Sequence, residues 1–157
     1  MNIKRVRKLN NKPIADGEII YWMSRDQRVE DNWAMVYANN LAKENGRKFK
    51  VIFTLDFSYP LANFRSFSFM LEGLKKVQDK LFELNISFEL LIGNPIEKLI
   101  DYYKIHKVGA IVNDFDPLKI KKYWKQEIAK VIDCAFFEVD AHNIVPAFYV
   151  SDKQEFA

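Results

Sequence analysis

The densest chemistry in the chain lies in one short loop. Arg25, Asp26, Arg28, Glu30 and Asp31 alternate in sign directly after an apolar run. Charges so arranged can form an ion-pair network that fixes a strand-to-helix turn, with the acids complementing the helix dipole. They can equally turn one or two groups toward a ligand or a partner domain. A second group, Asn113-Asp114-Phe115-Asp116, follows another apolar run. A planar heteroaromatic ligand needs a flat apolar wall and a few fixed polar groups. Phe115 beside Asn113 and Asp114 offers both. The competing reading makes Asp116 a helix cap and Phe115 part of the core.

Several other chemistries lack their residues. A dinucleotide site needs G-x-G-x-x-G after its first strand, because a backbone can approach a pyrophosphate closely only where side chains are missing. The corresponding loop here reads SRDQRVED, without a glycine, and there is no P-loop lysine motif. Only five glycines occur in the chain, Gly17, Gly46, Gly73, Gly93 and Gly109. His106 and His142 are far apart and have no Cys or acidic neighbours at metal-ligand spacing. His106 follows a predicted helix, where a cation is favoured in any case. No G-x-S-x-G nucleophile elbow is present. No catalytic residue and no metal ligand is assigned. Cys134 is the single cysteine, flanked by apolar residues, and reads as an inert core thiol that forms no intrachain disulfide. A reducing, cytoplasmic setting is expected.

The elements that would position these groups alternate along the chain. Residues 1–17 form a basic, irregular lead-in closed by the turn signal Asp16-Gly17. Strands are predicted at Glu18–Met23, Lys50–Leu55, Ser87–Ile92, Ala110–Asn113 and Ala135–Val139, each short, apolar and rich in β-branched or aromatic residues. Between them run helical patterns: 31–44, stopped by Asn45-Gly46; 65–84, with Phe67, Met70, Leu74, Val77 and Leu81 in a 3.6-residue stripe; 95–104, opened by Asn94-Pro95; and a fourth opened by Asp116-Pro117. Buried strands alternating with helices imply an α/β fold, a parallel sheet covered on both faces with right-handed crossovers. Such a sheet binds ligands beyond the carboxyl ends of its strands, where strand order reverses. The loops to watch are therefore 24–30, 56–64, 93–94 and 114–116.

The 157 residues suit one domain, and 49% apolar content supplies a sizeable core. The start, MNIKRVRKLNN, has no apolar stretch after its charges, and no run approaches a membrane span. The net charge of +3 is too small to argue for nucleic acid by itself. The basic excess is local: Lys4, Arg5, Arg7 and Lys8 at the start, and Lys119, Lys121, Lys122 and Lys125 later. Both groups read as solvated surface, with a phosphate-facing patch as the alternative.

The string Trp22-Met-Ser-Arg25-Asp26-Gln-Arg28-Val-Glu-Asp31-Asn32-Trp-Ala34 resembles the opening motif of the photolyase and cryptochrome family, roughly R-D-x-R-x-x-D-N-x-A after a strand. The form YWMSRDQRVEDNWA is similar to the class II cyclobutane pyrimidine dimer photolyases. So are the lead-in RVRKLNNKPIADGE, the stretch FSFMLEGLKKVQDKL with ISFELLIGNP, and the segment EVDAHNIVPAFYVSDKQEFA. The four stretches occur in the family's order and cover nearly the whole chain.

The resemblance implies a Rossmann-like amino-terminal domain, residues 18–140, with strand order 3-2-1-4-5. Residues 1–17 precede it, and 141–157 begin the connection to a carboxyl-terminal FAD domain. The family uses light to pass an electron from reduced FAD to a pyrimidine dimer flipped out of DNA. The FAD and dimer pockets lie in the helical domain, so no cofactor, no photorepair and at most weak, salt-sensitive DNA binding are expected of this chain. Arg25, Asp26, Arg28, Asp31 and Asn32 match a motif whose role is structural and interdomain. Asn113, Asp114 and Phe115 occupy the position at which relatives contact an antenna chromophore, a deazaflavin or a folate. Rival readings are a stand-alone nucleotide- or flavin-binding protein and a cryptochrome-type signalling domain. The apolar tail, with Ile144, Val145, Phe148, Tyr149, Val150 and Phe156, is expected to mediate non-native self-association.

Overall fold

Glu18–Met23 (β2), Phe49–Leu55 (β3), Val108–Asp114 (β5) and Ala135–Val139 (β6) are almost wholly apolar at their centres, and a sheet covered on both faces is where such runs are stable. Val6–Lys8 (β1) and Ser87–Ile92 (β4) complete it as edges. These elements belong to a computed structural model that describes residues 2–59 and 62–150. The helices are Trp33–Glu44 (α1), Phe64–Glu83 (α2), Pro95–Ile105 (α3), Lys119–Val131 (α4) and the short Ala147–Val150 (α5).

Alternation along β2 divides the core. Ile19, Tyr21 and Met23 face α1 and α2, packing on Ala38, Leu41, Leu74 and Val77. Ile20 and Trp22 point the other way, to Leu99 and Tyr102 of α3 and Trp124 and Ile128 of α4. The sheet order is β1-β6-β5-β2-β3-β4, and β2 to β6 are mutually parallel. The five expected strands thus stand in the expected order. Strand order reverses at β2, with β3 on one side and β5 on the other, so the loops after β2 and β5 lie side by side.

Three local expectations are corrected. The lead-in is not irregular throughout: Val6, Arg7 and Lys8 pair antiparallel with Val139, Glu138 and Phe137, which makes the sheet six-stranded and mixed. Arg7 stands opposite Glu138 and bonds it at 2.6 Å, which supplies a reason for that register. The first helix starts at Trp33, because Asn32 rather than Asp31 is its cap, accepting from the Met35 amide at 2.8 Å. Asp31 takes a left-handed φ of 51° in the preceding turn. The Asp116-Pro117 pair does not open α4 directly. Asp116 accepts from the Leu118 amide in a turn, and the helix begins at Lys119 with no side-chain cap.

The described part of the tail, 141–150, folds back over its own domain. Arg5 donates to the carbonyls of Asp140, Asn143 and Ile144 at 2.7–3.0 Å. Asp140 accepts from the amides of His142, Asn143 and Ala147 and from the Asn143 side chain. Phe148 meets Phe115 edge-on, with the Arg7 guanidinium 5.0 Å from its ring centre. Ile144 nevertheless stays 95% exposed and Tyr149 59%, while Phe156 lies outside the described residues. The fold-back needed a cation at residue 5 and a carboxylate at residue 140, which tail hydrophobicity does not reveal.

Burial alone would raise the Asp140 pKa, but its hydrogen bonds from Asn143, Ala147 and His142 outweigh this and hold it below the usual 3.8. A depressed carboxyl stabilises the fold above its unfolded value, and that stability is lost as pH falls through the folded value. Asp140→Ala should therefore loosen 141–150 at neutral pH, and acid should do the same to the wild type only below about pH 4. Amide exchange at Ala147 reads both. Unchanged protection in the variant would show that Asp140 does not anchor the tail.

Candidate functional site

Asp114 ends β5 and is buried beneath the loop that follows β2. Its Oδ2 accepts from three consecutive amides, Ser24 and Arg25 at 2.8 Å and Asp26 at 3.2 Å. Its Oδ1 accepts from the Tyr21 hydroxyl at 2.8 Å. That hydroxyl in turn accepts from Asn32 Nδ2 at 2.9 Å, and Asn32 also donates to the carbonyls of Asp26 and Arg28. Asn113 Nδ2 bonds the Trp22 carbonyl at 2.6 Å. Burial pushes the Asp114 pKa up, opposed by the Ser24, Tyr21 and Asp26 bonds; burial likewise drives Tyr21 far upward. Successive backbone amides curled around one point are the device by which related folds hold phosphate. Here the chain's own carboxylate fills it.

The first-loop residues divide accordingly. Asn32 and Asp26 are buried; Arg28 donates to the Asp31 carbonyl at 3.2 Å and lies 3.5 Å from Asp26. Asp26 Oδ1 also meets His142 Nε2 at 3.1 Å, which ties the loop to the tail, while its buried Oδ2 has no partner among the described residues. Glu30 pairs with Lys80. Of the charged residues in this loop, Arg25 is the one that lines a neighbouring open space.

That space is a crevice of about 250 Å³ beyond the carboxyl ends of β2 and β3. Phe53, Leu55, Phe67 and Met70 give it an apolar floor. Thr54, Ser66, Gln27 and Asp116 add polar atoms, and Arg25 and Lys121 add positive charge. Asn113, Asp114 and Phe115 do not line it. The first two are buried supports, and Phe115 packs on the tail. Of the wall residues, Tyr59 lies in the watched loop 56–64 and Lys121 in a basic cluster read as solvated surface; Trp124 packs against both without lining the crevice. The contact between the last two left one signal, the i, i+3 placement of Lys121 and Trp124 on one helix face. Lys121 Nζ sits 4.3 Å from the Trp124 ring centre and 5.1 Å from that of Tyr59. Burial pushes its amine down to about 8, against the attraction of Asp116.

Of the two basic clusters only Lys125 is buried, which corrects its reading as solvated surface; Lys4, Lys8 and Lys119 are exposed and the others half-buried. Lys125 is buried against Glu138, Arg7 bonds the same carboxylate, Arg5 holds the tail and Lys4 meets the Tyr149 hydroxyl. Cys134 is buried and its thiol is pushed up to about 11 by burial, so it is a poor nucleophile. Among the described residues no helix is long and apolar enough to cross a membrane, and no three His, Cys, Asp or Glu residues could hold a metal ion.

Removing the Asp114 carboxylate leaves three amides and a buried hydroxyl without an acceptor, each orphan costing about 1–3 kcal/mol. Asp114→Ala should destabilise the fold by at least about 3 kcal/mol, and Asp114→Asn, which keeps one oxygen for the amides, by about 1–2. Urea denaturation measures both. A loss below about 1 kcal/mol for the alanine variant would remove Asp114 from its central place.

Among solved structures, the fold is similar to a universal stress protein from Archaeoglobus fulgidus, with TM-score 0.55 and 12% identity over 78% of this chain and 98% of that one. A second such protein, from Pseudomonas aeruginosa, gives TM-score 0.58 at 9% identity, over 83% of this chain and 50% of that one. These likenesses concern architecture alone. Among curated proteins, the deoxyribodipyrimidine photo-lyase of Potorous tridactylus is 42% identical over 139 residues, 87% of this chain and 26% of that protein. Those of Arabidopsis thaliana and Methanothermobacter thermautotrophicus are 36% and 30% identical, covering 90% and 100% of this chain. The chain spans 29% and 35% of their lengths. The family model described as DNA photolyase matches residues 19–157. With an α/β fold, an opening motif that builds the loop around Asp114, and this match along most of its length, the chain belongs to the DNA photolyase family.

Proposed function

We propose that this chain is the light-gathering and docking part of a class II photolyase that splits cyclobutane pyrimidine dimers, and that it is not catalytic by itself. Its relatives are about three to four times longer, and in this reading FAD and the lesion pocket belong to a further domain. The observation that carries the reading is the crevice at the switch point, taken with the filled amide cradle beside it. The crevice volume lies slightly below the ~300–1,000 Å³ of ordinary ligand pockets. It suits a flat ring system whose substituents remain outside. Phe53, Leu55, Phe67 and Met70 would exclude water from the ring faces, while Thr54, Ser66 and Gln27 fix its edge. A bound deazaflavin or folate would supply light absorption and pass its excitation onward. Asn113 and Asp114 act beneath this site by holding the loop in shape, and Phe115 seats the tail. Arg25, Asp26, Arg28, Asp31 and Asn32 form the loop that presents one wall.

A stand-alone nucleotide-binding role is disfavoured by the same geometry. The amides of Ser24, Arg25 and Asp26 are engaged by Asp114 and cannot also receive a phosphate. DNA contacts of this part are weak and indifferent to the lesion, since Arg5, Arg7 and Lys125 are already engaged by partners within the chain. The lone buried thiol suits a cytoplasmic setting. The exposed apolar residues of the tail, Ile144 and Tyr149, are surface for the protein's own FAD domain. Without that domain they would permit self-association.

Two measurements test the reading. Fluorescence titration with a deazaflavin and with methenyltetrahydrofolate should show saturable binding of at least one, and ATP or FMN should not compete. Retention of ATP or FMN in preference to both would overturn the assignment. Illumination with dimer-containing DNA and added reduced FAD should give no repair above the free-flavin control, and the damaged duplex should bind no more tightly than the intact one. Repair above the control, or a lesion preference, would place catalysis or lesion recognition within this chain.

A further inference from the structure

The tail and the loop after β2 meet through a side-chain contact between His142 and Asp26. His142 Nε2 donates to Asp26 Oδ1 at 3.1 Å, and the imidazole is 27% exposed. Asp26 itself is 5% exposed. Its amide donates to Asp114 at 3.2 Å, and its carbonyl accepts from Asn32 Nδ2 at 3.1 Å. Its Oδ2 is buried without a partner among the described residues. Arg28 Nε stands 3.5 Å from Asp26 Oδ1, and Asp140 accepts from the His142 amide at 3.2 Å. A buried carboxylate is costly unless its oxygens are bonded. With His142 in place, one oxygen of Asp26 is bonded and the other is shut away. Withdrawing the imidazole would remove that donor and open the carboxylate to water. The closed arrangement therefore carries a cost that opening relieves, and the contact with His142 opposes that opening.

We propose that His142 is a latch through which the seating of residues 141–150 sets the closure of the loop 24–30. Arg5 and Asp140 seat the tail through bonds that do not involve the loop. The seated tail places the imidazole, and the imidazole holds the Asp26 side chain inward. Asp26 carries the loop with it, because its own amide and carbonyl belong to the bonds made with Asp114 and Asn32. Drawing the tail off the domain frees Asp26 to turn outward and weakens the neighbouring amide bonds to Asp114. Such coupling is reciprocal, so a closed loop also favours the seated tail. His142 acts through Asp26 and is a positioning residue. The latch does not depend on what the crevice holds.

Amide hydrogen exchange on the whole chain tests this, read at Arg25 and Asp26 in the loop and at Ala147 in the tail. Circular dichroism checks that each variant is folded. In His142→Ala the loop amides should exchange at least about fivefold faster. His142→Gln keeps a side-chain donor and should stay within about twofold of the wild type. Asp140→Ala unseats the tail from its other side, so it should speed the loop amides as well as Ala147. In the His142→Ala background, Asp140→Ala should still speed Ala147 but leave the loop amides where His142→Ala alone put them. Loop amides unmoved by His142→Ala would overturn the latch, as would a glutamine variant that loosens the loop as much as the alanine one. An Asp140→Ala effect on the loop of equal size with and without His142 would also overturn it, since the tail would then act by another route.

Discussion

Four hydrogen bonds to one buried carboxylate organise the working edge of this molecule. Asp114 closes β5, holds the loop after β2 through three amides, and orients Tyr21. Tyr21 then fixes Asn32, which caps α1. A single anion thus ties the two central strands to the first helix across the switch point. Removing such a charge from water is expensive and tolerable only when its lone pairs are satisfied, which is the condition met here. The same bonds decide what the fold cannot do. A parallel α/β sheet has a natural anion cradle at this place, and here it is filled from within. The useful space is displaced sideways, over β3 and against α4.

A second buried charge group governs the opposite edge. Glu138 lies in a strand otherwise made of apolar residues and is nearly inaccessible. Lys125 approaches it from α4 and Arg7 from β1. Lys125 also donates to the Asp114 carbonyl at 3.2 Å, which links the two groups. Removing one partner from a buried pair is far more damaging than never having had it. These contacts therefore specify where α4 and β1 lie more than they add net stability.

Much of this was legible in the sequence and part was not, for identifiable reasons. The strands β2 to β6 and the stripe of α2 announce themselves because covered sheets and amphipathic helices have distinct periods. The order of the strands followed from the family resemblance. Arg7, Lys125 and Glu138 gave no signal, since a charged residue in sequence looks solvated until a partner far along the chain is known. The same holds for β1, whose three residues are too few to show a period and whose pairing partner is β6. Asn113 and Asp114 stood out in the sequence, but polar residues at a strand end read alike whether they face a ligand or hold a loop. Lys121 read only as one of a basic cluster, because its contact with Tyr59 comes from the loop after β3 and leaves no mark along α4.

The edge strand also bears on how the protein is made. β1 leaves the ribosome well before its partner β6, and Arg7 and Glu138 are 131 residues apart. Until β6 has been made, the lead-in lacks its partner strand. A long apolar segment in that position would invite pairing with another nascent chain. Val-Arg-Lys is short and carries two cations, a form that stays solvated until β6 appears. Docking of β1 then closes the longest loop in the sheet. Long-range pairings of this kind are slow to form, so the final edge of the sheet is expected to be a late event in folding.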